Sequence, residues 1–129
     1  MIGSSADEGQ RARLCQILLG PLCDHFHAAA EAYADYLSDG KTFRSACRLR
    51  TINAAARQLL SDHRDLLPQP LQDHATALVR HYDVWMKLWD QLASENEPAM
   101  EDAFVFDNPV RFPRASQQAL AELYDQLRR

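Results

Sequence analysis

Five histidines, three cysteines and the run Arg57-Gln58-Leu59-Leu60-Ser61-Asp62-His63 are the places where this chain of 129 residues could do chemistry. The histidines raise a metal first, in Cys23-Asp24-His25-Phe26-His27. On a helix, though, His25 and His27 point about 200° apart, and ligands converging from one helix need a separation of three or four residues. His74 and His81 share a face without a carboxylate one turn away, and no Glu stands three residues before any His, the pattern that carboxylate-bridged di-metal bundles use. Neither a metal nor another cofactor is expected. Nucleophile chemistry has no better footing: Cys23 and His25 face different ways, and the only glycines, Gly3, Gly9, Gly20 and Gly40, form neither a Gly-x-Ser-x-Gly elbow nor a phosphate loop. No small-molecule ligand is implied.

Arg57 and His63 pair a guanidinium, which can stabilise charge developing on a phosphate, with an imidazole able to act as acid or base. The run is similar to the Arg and His motif of HEPN ribonucleases, small all-helical proteins of toxin and antiviral modules. That resemblance implies a metal-independent enzyme that cleaves RNA at a dimer groove, with Arg57 and His63 as its catalytic residues. The other reading places Arg57 in an exposed basic stripe with Arg50 and Arg64, while His63 borders the core.

The formal charge of −4 argues against a general nucleic-acid binder, because neutralising phosphates takes a surplus of Lys and Arg. Its distribution is uneven. Lys41, Arg44, Arg48, Arg50, Arg57 and Arg64 oppose only Asp62 and Asp65 between 41 and 66, so one basic helix lies in acidic surroundings. It is either matched by its neighbours or offered to an anion.

Helical periodicity supplies the elements that must position these residues. From about Glu8 to Leu37 the apolar positions Leu14, Ile17, Leu18, Leu22, Phe26, Ala29, Tyr33, Tyr36 and Leu37 recur at the helical period. Pro21, with Gly20 beside it, predicts a kink or brief break there, since proline lacks an amide and its ring opposes the carbonyl of Ile17. A second helix is expected from about Thr42 to Leu66, with Thr42 or Ser45 as its cap. Leu67-Pro68-Gln69-Pro70 is a stiff, short joint, so a third helix, from about Pro70 to Ala93, should return antiparallel as a hairpin. That third helix carries a stripe of Leu71, Ala75, Leu78, Tyr82, Trp85, Met86, Trp89 and Leu92. Residues 94–112 read as a long connection of the kind that is functional or mobile, and a short last helix bears Leu120, Leu123, Tyr124 and Leu127. The expected architecture is an all-α, elongated four-helix bundle forming a single domain over 1–129.

Two aromatic groups are candidates for contact with another protein or a second copy of the chain: Trp85 with Trp89, and Phe104, Val105, Phe106 and Phe112 on the connection. The leading expectation is a small helical interaction or accessory subunit without catalysis of its own. Met1-Ile2-Gly3-Ser4-Ser5, followed by Asp7 and Glu8, does not resemble a targeting leader, and no apolar run reaches the length needed to span a bilayer. Cys15, Cys23 and Cys47, an odd number set in apolar helical patterns, suit thiols in a reducing compartment, so a cytoplasmic location is expected.

Overall fold

The computed structural model describes residues 5–129, so the start of the chain, read above as free of a leader, lies partly outside them. Helix α1 (Ser5–Arg13) runs into a π-helical segment, Leu14–Leu19, and on into α2 (Gly20–Ser38). Neither a break nor a gap marks Pro21. The Gly20 N–H donates to the carbonyl of Cys15, five residues back, and this wider turn lets a residue without an amide enter a continuous helix. Gly20 is required by a neighbour as well. A Cβ there would lie 2.9 Å from the Cys15 carbonyl oxygen and 3.2 Å from the Tyr124 hydroxyl.

Helices α3 (Phe43–His63) and α4 (Gln69–Asn96), joined through a 3-10 turn at Arg64–Leu66, form the expected hairpin. Thr42 is the cap: its hydroxyl accepts from the Ser45 amide. Along the exposed edge, Arg50 meets Asp90 through two contacts of 2.8 and 3.0 Å, Arg57 meets Asp83 at 2.7 Å, and Arg64 reaches the Thr76 hydroxyl at 3.4 Å. Each rung lies seven residues from the next on both helices, which fixes the antiparallel register as charge pairs at flanking positions do in a coiled coil. Two of the three arginines of the basic stripe are thus matched by acid on α4, and Arg64 by a hydroxyl.

The fourth edge of the bundle is built from two unlike halves. Helix α5 (Arg114–Leu127) is half the length of α4, 14 residues against 28. It packs over the π segment and α4, with Leu120 fully buried among Leu18, Leu19, Leu22, Leu60 and Leu78. Above it the edge is completed by the connection 97–113. Glu97, in the left-handed region, turns the chain off α4. The Met100 and Asp102 carbonyls then accept from the amides of Arg44 and Phe43, two of the donors that the start of α3 leaves without intrahelical partners. Phe104 N–H donates to the Lys41 carbonyl, Thr42 and Ala103 form an antiparallel bridge, and the Tyr36 hydroxyl donates to the Phe104 carbonyl. Phe104 is thereby set against Trp89 and Phe43, at ring distances of 4.9 and 5.1 Å. Lower down, Phe106 lies by Trp85, the Val110 carbonyl meets His81 Nδ1 at 2.9 Å, and Phe112 packs edge-on to His81.

One sequence-based expectation is corrected here. Tyr33 and Leu37 keep the apolar period of the first helix, yet both are exposed. Their half of α2 has α3 on one side and only the narrow strap, in place of α5, on the other, and the strap covers Tyr36 alone of the three.

Candidate functional site

The structure separates the two members of the Arg57 and His63 pair by what they contact. Arg57 Nε is held by Asp83, whereas His63 is the last residue of α3, half-buried and without an ion pair or hydrogen bond among the described residues. His74 Nδ1 lies 2.9 Å from Ser116 Oγ and ties α4 to α5, as His81 ties α4 to the strap. Burial lowers the pKa of His81, against the raising effect of hydrogen bonds to the backbone of Val110 and Arg111. Among the described residues no three His, Cys, Asp or Glu side chains converge as a metal ion would need.

Two hollows flank α5. One, of about 470 Å³, brings Cys23 and His27 together with Tyr124 and Arg128. Cys23 and His27 are four apart and share a helix face, a pairing that weighing Cys23 against His25 missed. The thiol stays protonated there, its pKa raised first by burial and then by Asp125. Arg128 is held by the Asp125 carboxylate at 2.9 Å and lies over the Tyr124 ring. The other, of about 640 Å³, lies between α1 and α5 around Leu14, Leu66 and Leu127. All three cysteines are free and half-buried.

Five of the six residues predicted for protein contact gather at the opposite end. Phe104 and Trp89 are buried, at 2 % and 8 % exposure, in a cluster with Ala46, against which Trp85 and Phe106 pack partly buried. Phe112 belongs to the lower core beside Tyr82. Val105 alone of the six stands out, 53 % exposed. Around it the fold adds residues that the sequence did not mark as surface: Tyr33, Leu37 and Met100, each 46 to 52 % exposed. These four are the large apolar side chains the described residues leave open to solvent, and all sit where the α2–α3 turn meets the strap.

A recess of about 210 Å³ opens at this end. Tyr33 and Tyr36, stacked at 6.1 Å, line one side, the strap residues Phe104, Val105, Phe106 and Asp107 with Trp85 and Trp89 the other, and Ala46 and Leu49 the floor. The Trp89 indole N–H is buried without an acceptor, a cost of about 1–3 kcal/mol if nothing meets it. The segments 31–50 and 97–107 that build this end carry seven acidic residues and four basic ones, of which Arg44 and Arg48 pair with Glu101 and Asp35 and Arg50 lies over the Trp89 ring.

Comparison with protein families, curated proteins and solved structures finds no match for this chain, so its function must be read from its own geometry. None of its described helices is long and apolar enough to cross a membrane.

Proposed function

We propose that this chain is a protein-interaction module, an accessory subunit that docks a basic partner on the acidic, apolar-studded end formed by α2 and the strap. The observation that carries this reading is the clustering of Tyr33, Leu37, Met100 and Val105 at one end of a molecule that elsewhere turns its apolar residues inward. Scattered exposed apolar residues need no explanation; a cluster held on hydrogen-bonded backbone offers anchors that lose little freedom on binding. Charge selects the partner. Isologous contact between two copies would press the acidic ends together, whereas a segment rich in Lys or Arg is attracted to the field and steered toward the apolar centre.

The test is co-purification from the native host with size measurement, comparing the wild type with a Tyr33→Gln, Leu37→Gln, Val105→Thr variant. These residues are solvent-exposed, so the variant should keep its melting temperature. The wild type should retain a basic protein that is released by salt, and the variant should lose it while Arg57→Gln retains it. A wild type that stays monomeric and holds nothing, or that holds the same proteins as the triple variant, sinks the reading.

A further inference from the structure

The recess between Tyr33 and Phe106 has unmet chemistry that docking by apolar anchors does not use. Its walls are aromatic on both sides, and aromatic faces attract cations through the ring quadrupole. At its rim the Asp107 carboxylate has neither an ion pair nor a hydrogen bond among the described residues, within an end of the molecule where acids outnumber bases.

From these two observations we infer that the recess binds an organic ammonium group, as in choline. The cation lies against the Tyr33, Tyr36 and Trp85 rings, and Asp107 supplies the countercharge. A neutral apolar guest would gain from burial but make no use of the ring quadrupoles or of Asp107. The volume, about 210 Å³, suits a head group rather than a large cofactor. Lys41 lines the same recess without an ion pair among the described residues and offsets Asp107, so the aromatic faces rather than a net charge carry the attraction. The inference stands whether or not a protein docks at this end.

The two tryptophans of the chain, Trp85 and Trp89, both line the recess, so their fluorescence reports on it directly. Titration of the full chain with choline should give a saturable change. 3,3-Dimethylbutan-1-ol, which has the same shape without the charge, should bind about tenfold more weakly, and Asp107→Asn and Tyr33→Leu should each weaken choline by about three- to tenfold. Both substitutions fall on exposed side chains, and circular dichroism melting checks that the fold is kept. A short neutral peptide with one central lysine, titrated in parallel, distinguishes the sources. Tighter binding of the peptide than of choline assigns the ammonium to a partner's side chain, and weaker binding assigns it to a free small molecule. No saturable change with either, or equal binding of choline and its neutral isostere, overturns the inference.

Discussion

The imidazole of His81 packs between Tyr82 and Phe112 with Nδ1 at 2.9 Å from the Val110 carbonyl. Its Nδ1–H can donate to that carbonyl in either state but does so more strongly from the charged ring, so the backbone contacts favour protonation, while desolvation outweighs them and depresses the pKa. A histidine whose pKa is lower folded than unfolded binds fewer protons in the native state once the pH falls below the ordinary value. Its contribution to stability is therefore complete above about pH 6.5 and declines as the pH falls through the folded pKa. Thermal melts between about pH 7 and pH 5 should show the wild type losing more stability than His81→Gln, whose own level is lower throughout; parallel curves would mean that His81 is not the group responsible. Tyr82, behind it, has its phenol pKa pushed far up by burial and stays neutral over that whole range.

At the scale of elements, two joints carry quantitative expectations. Gly20 lets the π turn and Tyr124 approach each other, so Gly20→Ala places a Cβ 2.9 Å from the Cys15 oxygen and forces the turn or α5 to shift. We expect a loss of about 1–3 kcal/mol in a denaturant melt, despite alanine's better helix propensity. The α3–α4 ladder has two carboxylate rungs and a third where Arg64 finds only the Thr76 hydroxyl. Thr76→Asp completes the series. It should add about 0.2–1 kcal/mol, a gain that disappears in high salt because these groups are exposed. A gain that survives high salt would point to helix propensity or packing instead.

For the whole molecule, the strap is what closes the bundle. Its backbone supplies the missing acceptors at the start of α3 and delivers Phe104 into the cleft between Phe43 and Trp89. Phe104→Ser should cost about 3–5 kcal/mol, the range for emptying a buried aromatic site, whereas Val105→Ser next to it should lie within about 0.5 kcal/mol of wild type. Equal effects at 104 and 105 would deny the alternation of buried and exposed side chains on which the candidate surface depends. The same construction explains why the exposed apolar residues cluster: α5 spans only about 21 Å, so the upper half of α2 has α3 and a single extended segment beside it instead of two helices.

Local sequence determined the four helical rods, the α3–α4 hairpin and a cap at Thr42 or Ser45, because those features depend on residues near in sequence: an apolar stripe, prolines at 68 and 70 just past the second helix, a hydroxyl before a helix. Pro21 showed that something unusual occurs in the first helix, but a proline specifies a lost amide rather than the form of the repair, and the π turn emerged only with Tyr124 packed against Gly20. Arg50, Arg57 and Arg64 were visible as a stripe; that Asp90, Asp83 and Thr76 face them follows from the antiparallel register, which spacing within one helix cannot fix. Sequence likewise identified Phe104 to Phe106 as out of place in a polar stretch. Whether such residues enter their own core or a partner depends on contacts between positions some sixty residues apart, Tyr36 and Lys41 with Phe104 among them. The tertiary structure decided that, and with it decided that Tyr33 and Leu37, core residues by their period, stand at the surface because nothing wide enough passes over them.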